Sequence, residues 1–164
     1  MKKGVKIRLY PNKLQIELLN KIFGHTRFVY NYFLNYSRTN KDYNYSSWSK
    51  ILTQLKEDNQ TSFLNEADKF ALQNSLKNLK SAYSNFFSKR SKEPTFKKKN
   101  NEQSYRTNFT NNNIILYDKK IKLPKLGLIK CKYNKDLSLN KIINVTVKLS
   151  KDGKYEASII YECK

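Results

Sequence analysis

The chain has 164 residues with 38% hydrophobic and 13% aromatic content, enough for one compact domain or two small ones sharing a core. Thirty-three Lys and Arg against 13 Asp and Glu give a net charge of +20, so the molecule repels itself and attracts polyanions. Two cysteines outside any CxxC pair and a single histidine exclude a Cys/His zinc site, and no run of about 18 apolar residues reads as a membrane span.

In "KKGVKIRLYP", Val5, Ile7 and Leu9 alternate with Lys6, Arg8 and Tyr10, the pattern of a half-buried strand that Pro11 ends. Asn12 with Gln15 forms a capping box that opens a helical region running to about residue 90. Leu14, Leu18 and Ile22 mark one face of the first helix, and Gly24 reads as its stop. A second helix resumes at "HTRFVYNYFLNY" with Val29, Tyr32, Phe33 and Tyr36, and a third is expected over "SSWSKILTQLKED". The fourth carries the clearest stripe: Leu72, Leu76, Leu79, Tyr83 and Phe86, spaced 4, 3, 4 and 3, predict a core face. Lys69, Gln73, Lys77 and Lys80 lie about 100° round from it and form a polar, mostly basic side that is either solvated or aimed at phosphates.

Residues 91–103 hold Pro94, "FKKKNN" and no periodicity, which reads as a basic surface connection. From residue 104 onward "SYRTNF", "NIILY", "KIKLP", "LGLIKCKY", "KIINVTVKL" and "YEASIIYE" are short strands, with "KDGK" as a hairpin turn before the last. Val145, Val147 and Leu149 are expected to share an apolar face with Tyr155, Ala157, Ile159 and Tyr161. Six such strands and the N-terminal one suffice for a small β-barrel into which the helical region is inserted. In "RTNFTNNN", Tyr105, Thr107 and Phe109 have inward parity, Arg106, Asn108 and Thr110 share the other face, and the asparagines turn the chain.

The charge is concentrated: residues 89–135 hold 14 basic residues against Glu93, Glu102 and Asp118, a net of +11 in 47 residues. Part of the Lys and Asn excess is compositional bias, but the few carboxylates are not explained by it. No catalytic constellation can be assembled. His25, read at a helix start, is a cap or surface residue; Asp118, Asp136 and Asp152 fall in turns, and Asp58 ends a helix, where carboxylates serve local hydrogen bonds. Cys131 and Cys163 read as buried thiols. What remains is binding: Lys and Arg for phosphates, Asn, Gln, Ser and Thr for base edges, Tyr and Phe for stacking on unpaired bases.

"RLYPN", "RFVYNYFL", "DKFALQNSLKNLKSAYSNFF", "SYRTNFTNNN" and "KLPKLG", in this order over essentially the whole chain, resemble the TnpB (OrfB) family of transposon-associated RNA-guided DNA endonucleases, relatives of the miniature type V CRISPR effectors. The resemblance implies an α+β fold: an oligonucleotide-binding-type β-barrel, the wedge domain, with an inserted helical bundle, the recognition domain. It assigns 1–11 to the first wedge strand, 12–90 to the recognition domain, 91–103 to the basic connection and 104–164 to the rest of the wedge.

The implied partners are double-stranded DNA at the transposon end and a guide RNA, in a cytoplasmic protein without membrane contact. By motif, the DNA-reading positions are Tyr45, Ser49, Lys69, Gln73 and Thr110; from their charge, Lys77, Lys80, Lys97, Lys98, Lys99 and Arg106 are expected to contact phosphate and RNA. The family's nuclease strand with its "DxG"-type aspartate, the partner glutamate and second aspartate, and the zinc cysteines have no counterpart up to "YECK". The expectation is therefore a chain that binds without cleaving and needs no cofactor. The alternatives are one half of a split nuclease completed by a separately encoded nuclease domain, and a non-functional truncated relic.

Overall fold

The computed structural model describes residues 1–100, 102–133 and 141–163. Three α-helices and seven strands follow the order β1 (Lys2–Tyr10), α1 (Lys13–Asn40), α2 (Tyr45–Glu57), α3 (Lys69–Phe87), β2 (Gln103–Asn108), β3 (Ile115–Tyr117), β4 (Lys120–Leu123), β5 (Gly127–Lys132), β6 (Lys141–Leu149) and β7 (Tyr155–Glu162). A short 3-10 turn, Ser62–Glu66, precedes α3. The chain divides into two compact units, Met1–Lys21 with Glu102–Lys164, and Ile22–Asn101.

The first unit is built on one sheet in the order β2-β6-β7-β1-β5-β4-β3, antiparallel throughout. All six strands expected after residue 104 form. β1, remote from them in sequence, pairs with β7 through Lys2↔Glu162 to Leu9↔Tyr155 and with β5 through Arg8↔Lys132 to Tyr10↔Lys130. Period-2 alternation does the sorting. Ile7, Leu9, Tyr105, Thr107, Ile121, Ile129, Cys131, Val145, Val147, Ala157 and Ile159 are all buried on one face. The β6–β7 turn closes as the Asp-Gly pair requires: Gly153 has φ 83°, and the Ser150 and Lys154 backbones pair at 2.9 Å.

The asparagine corner after β2 forms too, with Asn111 and Asn112 left-handed at φ 47° and 57°. Asn113 locks it by accepting from the Thr110 N–H at 2.8 Å and donating to the Asn108 carbonyl at 2.9 Å. Among the described residues the sheet is open, with β2 and β3 as its two edges. Asp118 and Asp152 do sit in turns, while the turn expected at Asp136 lies outside the described residues.

The second unit packs α2, α3 and most of α1. Asn44 caps α2, accepting from the Ser46 N–H at 2.8 Å, and Asp68 caps α3, accepting from Phe70 and Ala71 at 3.0 and 3.1 Å. Four of the five positions of the expected α3 stripe are core: Leu72, Leu76, Leu79 and Tyr83 are buried, as are Trp48 and Leu52 of α2 and Val29, Phe33 and Leu34 of α1, with the Trp48 ring between those of Phe33 and Tyr83, while Phe86 is half-buried. Three buried polar side chains find partners inside this unit. Ser37 Oγ meets the Tyr83 hydroxyl at 2.6 Å, Ser75 donates to the Thr26 carbonyl at 2.7 Å, and Trp48 Nε1 donates to the Asp42 carbonyl at 3.0 Å.

Four expectations are corrected. Gly24 does not stop a helix: α1 runs unbroken for 28 residues. The buried positions Leu19, Ile22, Thr26, Val29 and Phe33 keep a 3-4-3-4 rhythm straight through it, so burial outweighs the roughly 1 kcal/mol that glycine costs in a helix. Its apolar face is also rotated from the expected one: Leu14 is 75% exposed, Leu18 is half-buried, and Tyr32 is exposed while Val29 and Phe33 are buried. His25 is mid-helix, not at a start; its Nε2 lies 3.0 Å from Glu66 Oε1 and its ring 5.0 Å from that of Phe63. Of the two thiols only Cys131 is buried, Cys163 being partly exposed.

Candidate nucleic-acid interface

Residues directly paired across antiparallel strands share a face. The polar parity of the sheet can therefore be read rung by rung. One rung runs Lys120, Lys130, Tyr10 across β4, β5 and β1. The next runs Lys132, Arg8, Glu156, Lys148, Ser104 across β5, β1, β7, β6 and β2. A third runs Lys6, Ser158, Thr146, Arg106 across β1, β7, β6 and β2. The result is a broad basic face with Glu156 as the one carboxylate in these rungs, backed by the hydrophobic core on the reverse side.

Some of these cations are committed. Lys148 pairs with Glu102 at 3.0 Å. Arg8 crosses its neighbour Glu156 without an ion pair and lays its guanidinium 5.0 Å from the Tyr10 ring centroid. Lys6, Lys120, Lys130 and Lys132 have no ion-pair partner among the described residues, and all four are exposed. Arg106 joins this face as its parity implies. Thr110 stands just past the end of β2, its backbone fixed by Asn113 and its side chain half-buried.

In the helical unit the expected residues occupy two adjoining helices. Tyr45 and Ser49 are one turn apart on α2, both half-buried, and burial raises the Tyr45 hydroxyl pKa. Lys69, Gln73, Lys77 and Lys80 follow one another along α3, the three lysines exposed and Gln73 half-buried. Lys80 Nζ donates to the Tyr43 carbonyl at 2.8 Å, and Lys69 Nζ lies 5.2 Å from the Phe70 ring centroid.

Within the basic connection, Lys97, Lys98 and Lys99 are not equivalent. Asn31 of α1 clamps the Lys97 backbone, accepting from its N–H at 2.8 Å and donating to its carbonyl at 2.9 Å. The Lys97 ammonium lies 4.4 Å from the Tyr30 ring centroid, and its partial desolvation there lowers its pKa. Arg38 completes the strap, donating to the Pro94 carbonyl, pairing with Glu93 at 3.5 Å and stacking 5.2 Å over Phe96. Lys98 and Lys99 are exposed beyond it.

Comparison with known proteins decides the family. Residues 1–41 match the helix-turn-helix domain model of the OrfB family. Over 159 residues, 94% of this chain, the sequence is 32% identical to an Escherichia coli (strain K12) protein named as an RNA-guided DNA endonuclease, InsQ, covering 39% of that protein. Over 103 residues, 59% of this chain, it is 38% identical to a Streptomyces pristinaespiralis protein also named as an RNA-guided DNA endonuclease, covering 25% of it.

The chain belongs to the TnpB/OrfB family, in its N-terminal part.

It spans less than half the length of these curated relatives. The family model's descriptive name does not describe the local structure: residues 1–41 form a strand and one continuous helix, with no turn between two helices. Among the described residues no helix is long and apolar enough to cross a membrane.

The sheet lysines Lys120, Lys130 and Lys132, and Lys6 and Arg8, were not among the expected contact residues. Their signal was present in the alternation itself. "KIR", "KIK" and "KCK" place cations on the parity opposite the core in β1, β4 and β5. The strand order makes these cations neighbours.

Proposed function

We propose that this chain is a nucleic-acid-binding part of a transposon-associated RNA-guided system, with the sheet unit acting as an oligonucleotide-binding-type wedge and the helical unit as a recognition domain. Its ligands in this reading are a guide RNA and a DNA duplex carrying a transposon-adjacent motif. The observation that carries the reading is the basic face assembled by the sheet register, because unpaired lysines on a broad, rigid surface are suited to phosphate contact. Tyr45, Ser49, Lys69, Gln73 and Thr110 supply the donors and acceptors for base edges; Lys77, Lys80, Lys98, Lys99 and Arg106 supply phosphate contacts, and Lys97 shapes the strap that presents its neighbours.

These residues bind in this reading without cutting. Six of the chain's carboxylates hold local structure: Asp58 accepts from the Gln60 N–H at 2.9 Å, Asp68 caps α3, Asp152 accepts from Ser150, and Glu66, Glu93 and Glu102 each meet a cation or the imidazole. The test is a titration of labelled transposon-end duplex, and of RNA transcribed from the 3′ end of its own gene, with the chain at several salt concentrations. Affinity should fall steeply and log-linearly with salt, and the duplex should remain intact with magnesium present. Salt-insensitive binding or none would sink the binding reading, and magnesium-dependent cleavage would sink the non-catalytic one.

A further inference from the structure

Two adjoining cavities on the outer face of the sheet differ in chemistry. One, of about 550 Å³, is bordered by Arg8, Tyr10, Lys132, Tyr133 and Glu156. The other, of about 600 Å³, shares Tyr10, Lys132 and Tyr133 and adds Lys119, Lys120 and Lys130 beside Asp118. Together they make one groove across β7, β1, β5 and β4. Both volumes fall in the range of sites that enclose small ligands.

Three observations point to what fills it. Arg8 Nε is buried without a hydrogen-bond partner, although Glu156 is its direct cross-strand neighbour. Glu156 is thus left without an ion pair to Arg8, and its carboxylate can accept from an incoming donor. The guanidinium is instead stacked with Tyr10, whose side chain remains 47% exposed, so an aromatic-cation platform stands ready at the surface. Cations outnumber carboxylates along the whole groove: Lys119, Lys120 and Lys130 stand with Asp118 at one end, Lys6 and Arg8 with Glu156 at the other, and Lys132 borders both. That lining suits an anionic ligand with an aromatic part bearing donors and acceptors. A duplex hides its base faces; a single strand presents them.

We infer that the groove holds an unpaired nucleotide of a single-stranded nucleic acid. The base lies on the Arg8–Tyr10 platform with its edge toward Glu156, and its phosphates meet Lys130 and Lys132. The site rests on the nucleic-acid-binding reading above and sharpens it from polyanion attraction to recognition of unpaired bases.

The test uses the full chain and ten-nucleotide probes, oligo-U, oligo-dT and a duplex of the same length, read by fluorescence anisotropy. Tyr10→Leu is expected to weaken single-strand binding about tenfold, in line with the loss of one stacked base, and to leave duplex binding within about twofold. Tyr10→Phe keeps the ring and should bind as the parent does, and Arg8→Gln should weaken single strands as Tyr10→Leu does. A 2-aminopurine in the single strand should be quenched by the parent and not by Tyr10→Leu. Circular dichroism and unfolding midpoints of the variants should match the parent; Tyr10→Phe decides the matter should Arg8→Gln fail to fold, since its loss of binding would rule out stacking. Preference for oligo-U or for oligo-dT supports the site equally. Unchanged single-strand affinity in Tyr10→Leu, or equal losses for single strands and duplex, would overturn the site while leaving nucleic-acid binding intact. Failure of the parent chain to bind any probe would remove both.

Discussion

The two units carry similar basic residues and use them differently. In the sheet, cations stand on alternate positions of a rigid lattice, and Lys6, Lys120, Lys130 and Lys132 are left without ion-pair partners among the described residues. In the helical unit several cations are drawn into structure: Lys80 onto the Tyr43 carbonyl, Lys97 onto the Tyr30 ring, Arg38 onto Pro94, Glu93 and Phe96, while Lys77, Lys98 and Lys99 stay exposed. A count of Lys and Arg along the sequence weights these regions alike. Counting only charges that structure has not already engaged shifts the weight to the sheet.

That contrast can be broken at its foundations first. Trp48→Ala removes the largest buried side chain of the helical unit and its bond to the Asp42 carbonyl, and should cost about 3–5 kcal/mol in denaturant unfolding. The outer face of the sheet can be stripped without touching any core: Lys6, Lys120, Lys130 and Lys132 all changed to Gln should flatten the salt dependence of duplex binding by about 3 to 4 in log–log slope. The change of Lys69, Lys77 and Lys80 should flatten it by less per lysine, because Lys80 is already engaged. Equal loss per lysine would mean that the helical cations are as available as the sheet ones.

Smaller effects sharpen the picture. Gly24→Ala should stabilise α1 by about 0.5–1 kcal/mol, since the added Cβ meets only Arg27 Nη2 at 3.6 Å; a loss of stability would show that the helix is broken there. Lys97→Ala should cost about 0.5–1 kcal/mol from the lost cation–π contact, and Lys98→Ala nothing measurable, although both stand in one lysine run. Finally, burial, and then the nearby Asp118 charge, raise the Cys131 thiol above its ordinary range. A raised folded-state pKa means a contribution to stability that is complete below the ordinary thiol pKa and lost as pH rises through the folded one. At pH 8 a thiol reagent should therefore modify Cys163 well before Cys131, and urea should erase the difference.

Much of this architecture is legible residue by residue. The strands after residue 104 follow from alternation and Asp-Gly or Asn turn chemistry, and the Asn12–Gln15 capping box forms reciprocally at 2.9 Å in both directions. The α3 stripe is core because 4-3 spacing allows little else. Gly24 misled because local propensity is a small term and burial on either side of it is a large one. Strand neighbours were beyond reach for a different reason: pairing of β1 with β5 and β7 links residues 120 or more positions apart, and no local pattern encodes which strand lies beside which. The basic face, being a property of that adjacency, was hidden with it. The engaged state of Lys97 depends on Asn31 and Tyr30, again distant in sequence.

The position of β1 also sets a timetable. It sits inside the sheet with a partner on each side, yet both partners are translated more than 100 residues after it. Loop closure of that span must be met before the pairing rewards it, whereas Ile22–Asn101 is a contiguous stretch with its own core. The helices can consolidate while β1 waits on the ribosome without a partner, and the β6–β7 hairpin, closing last, completes the sheet around it.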